Sequence, residues 1–248
     1  MGEPYYQIKQ KLTKHGIVAF SSNYALYGDM SERVMTVIES LVPQVEIYCT
    51  DEAFADLSGV PGDLEQLGRQ IRAQVYRSTG IPVGVGIAGT KTLSKLANHA
   101  AKKWQAQSGG VVDLRDQVKR EWVLKKCPAS DVWGVGRKMT AHLEGMGIKS
   151  VWELSKADPW TSRKRFSVVI EKTARELAGT PCLELDEPDP PKAGDLLQPD
   201  VWQVPDGYGA HQGGGGDLHG ARHRKVAGAA VSVQEAPGEH SYRFFQPR

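Results

Sequence analysis

The segment Ile81-Pro82-Val83-Gly84-Val85-Gly86-Ile87-Ala88 constrains the fold of this chain most. It alternates with period two, as a strand does, and it puts glycine at successive positions of one face. Glycine weakens a strand interior and marks a place where something large must come close. The elements around it follow from spacing. Residues 31–41 read as a helix with Ser31 as N-cap and Val34, Val37, Ile38 and Leu41 on one face, ended by Pro43. Short strands are expected at 45–50 and 53–57. Asp63 caps a helix carrying Leu64, Leu67, Ile71 and Val75, which stops at Gly80. Thr90 opens a helix from Lys91 to about Gln107, and Gly109 to Leu114 is a further strand. The order is helix, strand, strand, helix, strand, helix, strand. A sheet of this kind usually begins with a strand, and the expected first strand is absent.

Within the hairpin, Asp51-Glu52 interrupts an otherwise apolar, strand-prone run from Val45 to Leu57. Charges beside buried neighbours must be solvated or given a cation. On the dipeptide alone two readings stand, a polar hairpin turn and a metal-dependent active site. Downstream, Lys91, Lys95 and Lys102 recur along one helix face. Alone they are a solvated basic face. Beside paired carboxylates they fit Mg²⁺ held by carboxylates next to lysines that neutralise a triphosphate.

Residues 120–180 read as helical. There Asp131-Val132-Trp133-Gly134-Val135-Gly136-Arg137-Lys138 gives a helix, a Gly-x-Gly hairpin and a second helix. Gly134 and Gly136 let the backbone turn tightly and aim N–H groups at an anion. Arg137 and Lys138 add charge for a phosphate backbone. The alternative is a plain connection between two helices. Past Lys192 the character changes: residues 193–248 hold ten of the 27 glycines and four of the seven histidines. Hydrophobic periodicity is lost, so this tail reads as disordered. His211, His219 and His223 have no fold support there as metal ligands and read as incidental.

Composition excludes little more. Hydrophobic content of 40% and a net charge of +2 over 248 residues are ordinary for a globular protein. No apolar run reaches the length of a membrane span, and the N-terminus has no secretory core. Met1-Gly2 begins a myristoylation pattern whose Ser or Thr is missing. Cys49, Cys127 and Cys182 form no Cys-x-x-Cys pair, which points to the reducing cytoplasm and against structural zinc.

Taken together, Phe20-Ser21-Ser22-Asn23-Tyr24, Tyr48-Cys49-Thr50-Asp51-Glu52-Ala53-Phe54, Val83 to Ala88, Thr90 to Ala97 and Val132-Trp133-Gly134-Val135-Gly136 resemble Y-family translesion DNA polymerases of the UmuC type. The resemblance covers about residues 1–192. It implies an α+β fold: a partial polymerase palm, ferredoxin-like and lacking its first strand, then a helical thumb with a helix-hairpin-helix, then a disordered tail. The implied divisions are 1–30 as a remnant of the fingers and entry to the palm, 31–118 as partial palm, 119–185 as thumb and 186–248 as linker and tail. Asp51 and Glu52 match the second catalytic motif and would ligate metal, although Cys49-Thr50 stand where the family usually has Ser-Ile. Lys102 matches the lysine that contacts the incoming triphosphate, and Gly134 and Gly136 the hairpin that grips the duplex. The implied reaction is attack of a primer 3′-hydroxyl on the α-phosphate of a nucleotide with two Mg²⁺.

Two departures qualify that expectation. The family's opening strand, with its first metal-ligating Asp, is not found, and Met1 aligns part-way through the fingers. The tail also departs. Asp195 to Trp202 can be encoded as GAT CTG CTG CAG CCG GAT GTT TGG, which one base later reads Ile-Cys-Cys-Ser-Arg-Met-Phe-Gly, the family's continuation. A frameshift near residues 192–194 is therefore expected, and so is weak or no polymerisation by the isolated chain. The resemblance implies primer-template DNA, dNTP, a processed UmuD-type subunit, the RecA filament and the sliding clamp as partners, in SOS mutagenesis and with no membrane. The rival expectation is a non-catalytic DNA-binding protein using the hairpin alone. A metal-dependent phosphohydrolase would need more ligands than this region supplies.

Overall fold

The computed structural model describes residues 4–183 and the backbone of 228–233. Mixed helices and strands build one five-stranded sheet flanked by helices, followed by a helical segment. Helix α1 (Tyr5–Lys14) buries no residue, and α2 (Tyr24–Glu39) precedes the hairpin of β1 (Gln44–Cys49) and β2 (Glu52–Asp56). Then come α3 (Leu64–Thr79), β3 (Val83–Ala88), α4 (Lys91–Lys103), the short α5 (Gln105–Ser108) and β4 (Val111–Asp113). This is the order expected from spacing, with α1 added before it. Asp63 caps α3 by accepting from the N–H groups of Glu65 and Gln66 at 2.9 and 3.4 Å. Gly80 ends it at φ 73°, a conformation that favours glycine.

Two boundaries differ from the expectation. Helix α2 starts at Asn23, whose side-chain oxygen accepts from Leu26 N–H at 3.0 Å, so Ser31 lies inside the helix. An earlier cap of equal quality took precedence. Helix α4 stops at Lys103 because Trp104 leaves helical geometry at φ −116°, ψ 45°.

The alternation of β3 sorts its two faces. Val85 and Ile87 lie under Gly68 of α3, where an added Cβ would meet their methyls at 3.3 and 3.5 Å. Gly86 lies under α4, where a Cβ would fall 2.1 Å from Asn98 N and 2.3 Å from Ser94 O. The bulky neighbour implied by the glycines is therefore α4. Val34, Ile38, Ile71, Val75 and Val85 form the core on one side. On the other, Leu93, Leu96 and Ala100 of α4 join Leu124, Leu143 and Ile170 of the helical segment. That segment comprises α6 (Gln117–Lys126), a 3₁₀ turn (Ala129–Asp131), α7 (Arg137–Gly145), α8 (Val151–Ser155), α9 (Pro159–Arg165) and α10 (Val168–Leu177).

The sheet order is β1-β2-β5-β3-β4, in which the central strand β5 (Gly228–Val233) comes from the far end of the chain. It runs antiparallel to both neighbours, with Ala55↔Ala229 on one side and Ile87↔Ala229 on the other. For residues 228–233 this corrects the reading of a disordered tail; the rest of 186–248 lies outside the described residues. Strand pairing is made by main-chain groups and needs no hydrophobic periodicity, which is why Gly-Ala-Ala-Val-Ser-Val escaped a reading based on side chains. His211, His219, His223 and the proposed site of frame change lie outside the described residues.

Replacing Gly86 by alanine should destabilise the protein by about 3 kcal/mol, because backbone atoms rather than a flexible side-chain tip occupy the space. Urea unfolding measures it, and a loss below about 0.5 kcal/mol, the size of an ordinary surface change, would refute the close packing.

Candidate functional site

The β1–β2 hairpin carries the acidic pair at its tip. A register irregularity between Ile47 and Cys49 leaves Cys49 opposite Glu52, with Thr50 and Asp51 making the turn. Asp51 is exposed and Glu52, the first residue of β2, is half-buried. Helix α4 supplies a cation to two acidic side chains of the hairpin, Glu46 and Glu52. Lys95 Nζ pairs with Glu52 Oε2, and Lys91 Nζ lies 2.6 and 2.8 Å from the carboxylate oxygens of Glu46. Lys91 and Lys95, expected to face a triphosphate, are thus already engaged by protein carboxylates. Both lie over aromatic rings. Tyr48, Phe54 and Trp133 contact one another at centroid distances of 5.4 to 5.9 Å, and Lys95 Nζ sits 5.1 Å from Tyr48 and 5.4 Å from Trp133. Cations over ring faces are attracted by the ring quadrupole, so the trio holds the ammonium beside Glu52. Lys102 lies two turns along α4 with its stem over β3, where a Cβ on Gly84 would meet Lys102 Cγ and Cε at 3.5 Å.

Cys49 donates its thiol proton to Asp51 Oδ1 at 2.9 Å, with Glu52 Oε2 at 3.7 Å. Burial, and then the bond to Asp51, push this thiol up to about 11, so it is neutral at pH 7. Ligand atoms of Cys49, Asp51 and Glu52 all lie within 4.8 Å of one another. A protonated thiol is a poor ligand for a hard cation, which leaves two carboxylates. These suit Mg²⁺ in kind, since that ion is held by one or two carboxylates together with waters and substrate phosphates.

The helical segment is tied to α4 by a carboxylate that sequence reasoning missed. Glu176 of α10 is fully buried. Its Oε2 accepts from Thr92 N–H at 2.8 Å and the Thr92 hydroxyl at 2.7 Å, and its Oε1 from Cys182 and Leu183 N–H at 2.9 and 3.0 Å. The Thr90 hydroxyl donates to Glu176 O at 3.0 Å. A single glutamate in an amphipathic helix gives no sequence signal of this. Glu46 was missed for the same reason, whereas Trp133 stood inside a motif already singled out.

The glycine hairpin faces solvent. Gly134 has φ +83°, Gly136 is the N-cap of α7, and a Cβ at either would meet nothing within 4 Å. No side chain caps α7, and Arg137 and Lys138 at its start are exposed. The N–H groups of a helix start left without a side-chain acceptor are suited to an anion.

Comparison with known proteins now decides the lineage. A profile of the impB/mucB/samB family matches residues 1–99. UmuC of Salmonella typhimurium is 55% identical over 193 residues, and MucB of Escherichia coli 47% over 194, each covering 77% of this chain. The chain belongs to this family, on the UmuC-type branch of Y-family polymerases. It spans about half the length of these curated relatives, 46% in both cases. Among solved structures, an insertion ternary complex of Dbh DNA polymerase matches with TM-score 0.59 at 20% identity, covering 71% of this chain and 50% of that one. DinB from Sulfolobus solfataricus matches with TM-score 0.58 over the same share of this chain and 51% of its own. At that identity the likeness concerns the fold.

In this UmuC-like chain the hairpin thiol reports on its acidic neighbour. Alkylation of Cys49 should be slow at pH 8 and rise with pH toward about 11, because only the thiolate reacts. Asp51→Asn removes the charge that holds the proton, so the Cys49 profile should move to lower pH. Peptide-resolved mass spectrometry reads it, and an unmoved profile would exclude the Asp51 contact. Glu176→Gln should cost about 2 kcal/mol in unfolding free energy, since an amide nitrogen would then face an N–H donor.

Proposed function

We propose that this chain is the palm-and-thumb portion of a UmuC-type translesion DNA polymerase, with the sheet and its helices as palm and residues 119–185 as thumb. The observation that carries the reading is the acidic hairpin tip, with Glu52 paired to Lys95 of α4 and Asp51 exposed beside it, in a chain of this family. Asp51 and Glu52 would hold Mg²⁺, which when bound aligns a primer 3′-hydroxyl with a nucleoside triphosphate and stabilises developing charge. Lys95 keeps Glu52 in place at the hairpin, and Lys102 steadies the triphosphate of the dNTP. Gly134 and Gly136 offer backbone N–H groups to duplex phosphates, and Arg137 and Lys138 add sequence-independent attraction. The intact protein, on this reading, works in the cytoplasm in SOS mutagenesis with a UmuD-type subunit, the RecA filament and the sliding clamp. The free thiols Cys49, Cys127 and Cys182 support a reducing compartment. No described helix is long and apolar enough to cross a membrane.

A second reading is favoured by the paired state of Glu52 and by a central strand, Gly228–Val233, that contains no carboxylate. The isolated chain then binds primer-template DNA through the thumb hairpin and extends a primer weakly or not at all. Two assays separate these. Mg²⁺-dependent primer extension by the purified chain that is lost in Asp51→Ala supports catalysis and overturns the second reading. Duplex binding that weakens with salt and survives Asp51→Ala supports the second. Replacing Arg137 and Lys138 together by glutamine should make the logarithmic salt slope shallower by about 2. Absence of both extension and binding would overturn the polymerase reading altogether.

A further inference from the structure

We propose that Gly228–Val233 is a filler strand, by which the chain closes the centre of its own sheet with a segment that brings no carboxylate to the register position beside Glu52. The inference goes beyond the polymerase reading and stands on backbone pairing alone. Without β5, the edges of β2 and β3 that face each other would both be open. Those edges belong to Ala53, Phe54 and Ala55 and to Val83 to Ala88, all buried. With β5 seated between them their backbone groups are paired; without it both edges would present rows of unpaired N–H and C=O groups, open templates for another strand. The pairing runs the full length of β5 on the β3 side, Val83↔Val233 to Ala88↔Gly228, and over five of its six residues on the β2 side, Glu52↔Ser232 to Asp56↔Gly228.

The composition of the segment fits its place. A central strand under a helix that crosses β3 at Gly86 needs small residues, and Gly228, Ala229 and Ala230 pair with Ala88, Ile87 and Gly86. Val231 and Val233 are β-branched, a residue type enriched in strands. The chain can reach: 44 residues separate Leu183 from Gly228, an extended span of about 150 Å. What the segment lacks is chemistry. The residue in register with Glu52 is Ser232, and none of the six is acidic. Cross-strand partners share a face of the sheet, so the place nearest Glu52 on the neighbouring strand is filled without a carboxylate. The slot accepts a strand by its main chain, and occupancy by this one completes the fold and leaves the hairpin with two carboxylates.

Three measurements on the full chain test this. Hydrogen exchange of the unaltered protein should show the amides of 229–232 protected to the level of β3. Exchange at the rate of an unstructured peptide would overturn the proposal. Ala55→Cys with Ala229→Cys places thiols at register partners, whose antiparallel spacing suits a disulfide. This pair should cross-link within one chain under mild oxidation, mapped by peptide mass to exclude Cys49, Cys127 and Cys182. Ala55→Cys with Ala230→Cys, on opposite faces, should not. Equal cross-linking of both pairs, or a cross-link found only between two chains, would overturn the proposal. Val231→Pro, which removes a ladder donor from a central strand, should lower the thermal midpoint by about 10 °C and raise exchange in 53–55 and 83–88. An unchanged midpoint and exchange would overturn it, and if the variant does not fold the first two measurements decide.

Discussion

The seating of α4 on β3 is the constraint on which the rest of the molecule depends. At Gly86 the helix backbone lies so close that a methyl group would fall 2.1 Å from Asn98 N, and Asn98 Nδ2 donates to Gly84 O at 3.0 Å, fixing the helix along the strand. Once α4 is placed, its three functional stretches point where they must. Its first turn, Thr90 to Thr92, meets Glu176 and binds the helical segment. Lys91 and Lys95 reach the hairpin, and Lys102 lies over the strand two turns on. A glycine is therefore the origin of the site geometry, although it touches none of the acidic groups.

The electrostatics of the hairpin follow from that placement. Four charges stand in a small, partly buried volume, and each is balanced by one partner: Glu46 by Lys91 and Glu52 by Lys95. Half-buried pairs of this kind lose hydration that their mutual attraction must offset. The rings of Tyr48, Phe54 and Trp133 help by giving the ammonium groups a favourable non-aqueous surface. Asp51 alone stays exposed at the tip, partnered by a neutral thiol. On the proposed reading, a divalent cation at the tip would meet one available carboxylate and a second already held by an ammonium, and would bind more weakly than two free carboxylates would allow until a triphosphate added its own oxygens.

How much of this the sequence disclosed depends on the range of each interaction. Helix α3 was legible from end to end because its start and stop signals, Asp63 and Gly80, act within one turn of it. The glycines of β3 disclosed that something large lies above them, and the structure supplied its identity. The start of α2 was misplaced because Asn23 and Ser31 are equally good caps by residue type; the turns before Ser31 are helical in the fold, with Gly28 buried there and Asn23 bonded to Leu26 N–H. The contacts of Trp133 with Tyr48 and Phe54 and of Glu176 with Thr92 join residues about 80 apart in sequence, and no local pattern encodes such partners. The acidic pair was legible as a residue type but not as a pair already matched to Lys95.

The tail strand shows a separation between what folds a sheet and what makes it act. A sheet needs its central place filled by any extended backbone of tolerable bulk, because main-chain groups carry the pairing. A metal site needs a particular side chain at a particular register position. Gly228–Val233 meets the first demand with glycine, alanine, valine and serine and does not meet the second. Here the two demands fall on different properties of the chain. A sheet completed at its centre is consequently evidence of foldability, while competence for metal-dependent chemistry rests on which residue stands beside Glu52.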